Sequence, residues 1–299
     1  MTLLNAVPNF SEGRDGATID AMRAAIAASP GVHVLAEHRD ADHNRCVFSL
    51  VGAPGTLAPA LLAGARVALE RIDLVAHDGV HPHVGALDVA PIAYLHEEDR
   101  GAACAEALVL GDLLARDLVL PVFLYGILAQ GRTRAELRHG GPATMAQRMA
   151  AGELTPDFGL PAPHPRGGTT LVGARPPLVA FNVTLKPPAT LEQAREIAAR
   201  IREGGEEGLP GLRAIGLRLE RQGTIQVSMN VEQPDITPLR DVVAAVARHA
   251  PVADAELICL APEISFAGFP ADVPVTSFDP DVHLIERALT RLGIVGTAP

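Results

Sequence analysis

At 299 residues, 48% of them apolar, the chain is long enough for two ordinary domains, each with a substantial core. A formal net charge of −10 excludes broad electrostatic binding to nucleic acid or to an anionic membrane surface. No apolar run approaches the ~20 residues of a membrane-spanning helix.

The order of elements begins with a short apolar strand, Thr2–Asn9, closed by Pro8. Ile19, Met22 and Ile26 then recur at helical spacing until Ser29-Pro30-Gly31 ends the run. Two strands are predicted at Val32–Glu37 and Arg45–Gly52, and a helix through Leu57, Leu61, Ala65 and Leu69. Ala86–Tyr94 has strand character, with Pro91 predicting an edge or a bend. This β-α-β-β-α-β order is the split βαβ pattern of ferredoxin-like units. A helix near 98–116 and a strand at Leu120–Tyr125 are appended to it.

Across 140–177 the composition shifts. Gly140-Gly141-Pro142, Gly159–Gly168 and Pro176-Pro177 are expected to be loop rather than packed structure. The strand–helix pattern then restarts. A strand at Leu178–Thr184 precedes a helix face of Leu191, Ala194, Ala198 and Ile201. A hairpin of Arg213–Glu220 and Thr224–Asn230 turns at Gln222-Gly223, followed by a helix at Thr237–Ala250 and a strand at Glu256–Ala261. A last helix is expected from Asp279-Pro280, a good cap with proline at the first helical position. The expected fold is α+β in two lobes, 1–177 and 178–299, each with a mixed sheet, and a cleft between lobes is a favoured ligand site.

The most unusual stretch is Val75–Pro91, VAHDGVHPHVGALDVAP. It holds His77, His81 and His83 with Asp78 and Asp88, among glycines and a proline that fix an irregular backbone between a helix and a strand. A histidine there can serve as a general acid–base near neutral pH. The same His77, His81 and His83 with Asp88 form the alternative of a metal-dependent hydrolase, and idle surface histidines are a third reading. A second cluster, Glu37–Arg45, offers Asp40, Asp42 and His43 either as a solvated turn or as lining of the site, with Arg45 opening a strand and suited to a carboxylate. Asn9–Gly13 reads as a capping turn. Gly159–Gly168 has neither the lysine nor the spacing of a P-loop and reads as a linker with room for a ligand. Cys46, Cys104 and Cys259, odd in number and far apart, read as core and suggest a reducing compartment. Met1–Glu12 lacks a signal-peptide pattern, so the cytoplasm is expected.

Collinear pieces across most of the chain resemble the formiminotransferase domain family. They are Val7–Gly13, Asp42–Arg45, Val51-Gly52, His81-Pro82, Val84–Val89, Pro121–Gly126, Pro156–Gly159, Val172–Arg175, Ala180–Asn182, Gln226–Ser228 and Asn230. The resemblance implies transfer of a formimidoyl group, or a formyl group in a diverged relative, between N-formimidoyl-L-glutamate and tetrahydrofolate, in histidine degradation and one-carbon metabolism. It implies His81 as the catalytic residue. Beside it Asp40 or Asp42 is expected to orient the ring, and Arg45 and His83 are further supporting candidates. It further implies a folate loop of Gly159, Leu160, Pro161, Ala162, Pro163, His164, Pro165, Arg166, Gly167 and Gly168. Tetrahydrofolate is then a substrate, no metal is expected, and a homodimer is implied. No cyclodeaminase domain is recognisable in the chain, so any such partner would be separate. A folate-binding protein without catalysis is the remaining alternative. The chain departs from the family pattern at His83 (usually Arg), at Gly167 (no aromatic before the final glycine) and across 138–154. His38 or Arg39 replaces a turn acid before Asp42–Arg45.

Overall fold

The computed structural model describes residues 2–294, and the chain forms two compact units that part at Pro176 and Pro177. The first unit runs β1 (Leu4–Ala6), β2 (Asn9–Phe10), α1 (Gly16–Ala27), β3 (Val32–Asp40), β4 (Arg45–Gly52), α2 (Leu57–Arg71) and β5 (Leu87–Tyr94). It continues with α3 (Arg100–Leu118), β6 (Val122–Gly126), α4 (Arg134–Arg138), α5 (Gly141–Ala150) and β7 (Thr170–Arg175). Asp15 starts α1, accepting from the Ala17 N–H at 3.0 Å and the Thr18 hydroxyl at 2.6 Å. The helix buries Ile19, Met22 and Ile26, the face that its spacing predicts. These side chains join Leu57, Leu61 and Ala65 of α2 and the strand residues Phe10, Phe48 and Leu50 in one core.

The predicted split βαβ is present. β3 pairs with β4, β4 with the broken strand β1/β2, and that strand with β5, all antiparallel. β7 and β6 extend the sheet beyond β5 in parallel. Pro91 therefore lies in an interior strand, not at an edge. Its missing N–H is tolerated because it faces the break between β1 and β2, where the Val7 N–H donates to the Pro91 carbonyl at 3.1 Å.

The expectation of loop fails at Gly140-Gly141-Pro142 and holds at Pro176-Pro177. Gly140-Gly141-Pro142 opens α5, which buries Met145 and Met149; a proline in the first helical turn loses no hydrogen bond there. Thr170–Arg175 is a buried parallel strand between β5 and β6.

The second unit repeats the pattern with β8 (Val179–Leu185), α6 (Leu191–Ile201), β9 (Leu212–Leu219), β10 (Thr224–Val231), α7 (Leu239–Ala247) and β11 (Val252–Ile258). Its sheet order is β11-β8-β10-β9, antiparallel throughout, with a short β12 (Val275–Thr276) added parallel to β11. Phe181, Val183, Val227, Val242 and Val246 are fully buried in its core. Asp279 does cap a helix at Pro280, accepting from the Asp281 N–H at 2.9 Å. That helix breaks at Leu284 into α8 (Pro280–His283) and α9 (Ile285–Arg291).

Candidate functional site

The histidine segment leaves α2 and enters β5 along the end of the first sheet, opposite the turn between β3 and β4. A backbone carbonyl and a side chain of that turn hold it there. The Val80 N–H donates to the Asp42 carbonyl at 3.2 Å, and the Asn44 side-chain amide donates to the Asp78 carbonyl at 3.0 Å. Asn44 also accepts from the Gly13 N–H at 3.0 Å. Gly13 lies so close to this turn that a Cβ would stand 2.1 Å from the Asp40 carbonyl oxygen. Asn9–Gly13 is thus a buttress of the turn rather than only a cap, the actual helix cap being Asp15.

Beneath the histidines lies a buried ionic cluster. Asp88, on β5, has no exposed surface. Its Oδ1 accepts from the Val84 N–H at 2.8 Å, and its Oδ2 accepts from Arg45 Nη1 at 2.6 Å and from Arg138 Nη2. Arg45 on β4 also donates through Nε to Asn9 Oδ1 on the intervening β2 at 2.9 Å. Burial pushes the Asp88 carboxyl up, but the Arg138 and Arg45 guanidiniums outweigh it and hold the group well below the usual carboxylate range.

His81 is half-buried above this cluster. Its Nδ1 lies 2.8 Å from the Pro82 carbonyl oxygen, which can only accept, so Nδ1 carries the proton and Nε2 keeps a lone pair. Burial first, then the charges of Arg45 and Arg138, push the proton affinity of His81 well below that of an ordinary histidine; Asp88 opposes them. The ring is therefore neutral at pH 7, with a free base edge. His83 repeats the pattern more loosely, Nδ1 at 3.3 Å from the His81 carbonyl oxygen. His77 packs edge-on against His83, ring centroids 4.3 Å apart, with Nδ1 3.3 Å from the Asn44 amide nitrogen. Burial, then the neighbouring His83, lowers its pKa to about 4.

Asp40 takes a different place from the one expected of it. It does not reach His81. It accepts from His43, from the backbone N–H at 2.7 Å and from Nδ1 at 3.0 Å, and the His43 ring stands 5.9 Å from that of His81. Asp42 is buried in the same turn. The metal alternative gains no ligand set: among the described residues no group of three or more His, Cys, Asp or Glu is arranged to hold an ion, and Asp88 is spent on two arginines.

The loop Gly159–Gly168 adjoins the histidine segment at its far end. The Ala86 N–H donates to the Gly167 carbonyl and the Thr169 N–H to the Val84 carbonyl, both at 2.9 Å. Gly168, at φ +66°, would place a Cβ 2.3 Å from the Val84 oxygen. Inside the loop His164 Nδ1 accepts from the Gly167 N–H at 2.9 Å, so that ring too is held neutral. Gly159 to Ala162, Pro165 and Arg166 are exposed.

Two residues of this cluster escape the sequence reading. His43 is visible there only within a turn read as solvated or as lining the site. Arg138 is not singled out at all, although Thr133-x-x-Glu136 announces the start of its helix. Both halves of that capping box are formed: the Glu136 N–H donates to Thr133 Oγ1 at 3.2 Å and the Thr133 N–H to Glu136 Oε2 at 2.7 Å.

Comparison with known proteins gives a consistent picture. Residues 3–175 match the formiminotransferase domain, N-terminal subdomain, and residues 180–270 match the formiminotransferase domain. Glutamate formimidoyltransferase of Streptococcus pyogenes serotype M1 is 37% identical, with 77% of each chain covered. That of Thermoplasma acidophilum is 32% identical over 88% of this chain and 89% of its own. Formimidoyltransferase-cyclodeaminase of Rattus norvegicus is 36% identical over 99% of this chain, which spans 58% of the length of that relative.

Proposed function

This chain belongs to the formiminotransferase domain family, and from that premise we propose that it transfers a formimidoyl group from N-formimidoyl-L-glutamate to tetrahydrofolate, with His81 as acid–base. The observation that carries this reading is the tautomer of His81: Nδ1 is committed to the Pro82 carbonyl, and Nε2 is left as a base on a ring neutral at pH 7. A folate amine nitrogen forms a bond to the formimidoyl carbon and gives a tetrahedral intermediate. His81 Nε2 takes the proton that this nitrogen sheds and returns it to the glutamate nitrogen as the old carbon–nitrogen bond breaks. Such transfer is worth roughly 10²–10⁴ in rate.

Gly159–Gly168 is the segment we assign to folate. Its exposed, proline-rich middle and its anchorage beside Val84–Ala86 support that assignment. Arg45, Asp40, Asp42 and His83 act as supports. The reaction belongs to histidine degradation and one-carbon metabolism, and the longer relatives suggest a cyclodeaminase as the consumer of the product. We further propose a cytoplasmic homodimer; among the described residues no helix is long and apolar enough to cross a membrane.

The test is one assay with purified protein, tetrahydrofolate and formimidoylglutamate, with and without chelator. His81→Ala is expected to lower turnover at least about a hundredfold while tetrahydrofolate binding survives. A fully active His81→Ala enzyme, or loss of activity on adding chelator, overturns the assignment.

A further inference from the structure

The cluster under His81 carries one more positive charge than it cancels. Arg45 and Arg138 contribute two cations against the single carboxylate of Asp88, and their side chains are only 11% and 12% exposed. Asp88 is already heavily used, since one oxygen serves both arginines and the other serves the Val84 N–H. Arg45 is satisfied by Asn9 and Asp88. Arg138 is not: its Nε is buried and has no hydrogen-bond acceptor among the described residues. A buried guanidinium with an idle N–H and an unbalanced charge favours an anionic acceptor, and a carboxylate oxygen suits it.

We propose that Arg138, backed by Arg45, binds a carboxylate of the donor substrate beside His81. This rests on the reading of His81 as acid–base. It deepens that reading by naming what the donor must carry: an anionic, carboxylate-bearing tail, a feature that formimidoylglutamate has twice. The capping box that starts α4 fixes the helix from which Arg138 reaches inward.

Placement beside His81 has a second consequence. The charged or titratable groups acting on that ring are Arg45 from β4, Arg138 from α4, Asp88 from β5 and His43 from the β3–β4 turn. The two arginines and, after them, His43 oppose protonation, and only Asp88 favours it. A bound carboxylate brings the local sum to neutral, so the imidazole becomes a stronger base when the donor is seated. Basicity is then coupled to occupancy.

The experiment is a ¹³C histidine NMR titration of the full chain, with and without saturating glutarate, a dicarboxylate that has no group to transfer. His81→Asn assigns the resonance. Glutarate is expected to move the titration midpoint of His81 upward by about one pH unit or more, the effect of one opposite charge nearby. Arg138→Gln is expected to weaken glutarate binding at least about tenfold and to abolish the movement; Arg138→Lys keeps the charge and part of both effects. An unmoved His81 in wild-type protein, or glutarate binding by a folded Arg138→Gln equal to wild type, overturns the proposal. If Arg138→Gln does not fold, the wild-type titration and Arg138→Lys decide. Since glutarate needs no turnover, failure of the transfer assay sinks the catalytic reading and leaves this result standing.

Discussion

Replacing Asp88 by Asn leaves two buried guanidiniums facing a neutral amide. The surplus charge of the cluster rises from one to two, and the bonds to Arg45 and Arg138 lose their anionic acceptor. Breaking a buried ion pair in this way costs about 3–5 kcal/mol, because the stranded charge stays desolvated. Arg138→Met has the opposite electrostatic effect. It leaves Asp88 matched one-to-one with Arg45 and removes repulsion between the arginines, so its cost is no more than about 1.5–3 kcal/mol, the value of one charged hydrogen bond. The protein supplies its own reporter. It has no tryptophan, and its two tyrosines, Tyr94 and Tyr125, both lie in the first unit, on β5 and β6. Urea unfolding followed by tyrosine fluorescence therefore reads that unit alone. With a urea dependence of about 2 kcal/mol per molar, Asp88→Asn shifts the midpoint down by roughly 1.5–2.5 M. A cost below about 1 kcal/mol for Asp88→Asn, or an equal cost for Arg138→Met, refutes the charge count.

Stability is also expected to depend on pH in two windows. His77, at about 4, and His81 bind protons less readily than the unfolded chain, near 6.5; their contribution is whole above 6.5 and is lost as the pH falls toward 4. Asp88 has a lowered pKa, so its contribution is present above about 3.8 and disappears only in stronger acid. The urea midpoint should thus drop between pH 7.5 and 5, and His77→Gln should reduce the slope; a flat profile contradicts the burial of these rings. Gly168→Ala forces a side chain into a left-handed backbone at φ +66° and against the Val84 oxygen, costing at least about 1–2 kcal/mol. Faster proteolysis within residues 160–166, together with a lower midpoint, checks it.

The two ferredoxin-like units were legible because their signal is periodic: Ile19, Met22 and Ile26, or Ala194, Ala198 and Ile201, declare a buried helical face by their spacing alone. What stayed hidden was carried by context. Pro91 is a poor strand residue in isolation and becomes acceptable only because the neighbouring strand is interrupted opposite it. Thr170–Arg175 lies between two glycine- and proline-rich stretches whose turn chemistry dominates any local reading, yet sheet pairing on both sides overrides it. The histidine segment stood out by composition. Its electrostatic setting did not, since Arg138 lies 50 residues beyond Asp88 and the contact exists only in three dimensions.

The loop from Gly159 to Gly168 is stitched at both ends. Phe158 exchanges backbone hydrogen bonds with Val122 at 2.9 and 3.2 Å, and Gly167 and Thr169 are tied to Ala86 and Val84. The exposed stretch between, Leu160 to Ala162, contributes nothing to either seam. Substitution there leaves the frame intact while changing what rests against it. On the proposed folate assignment, ligand preference can drift at those few positions at almost no cost to folding, which makes the span the natural place to redesign the acceptor.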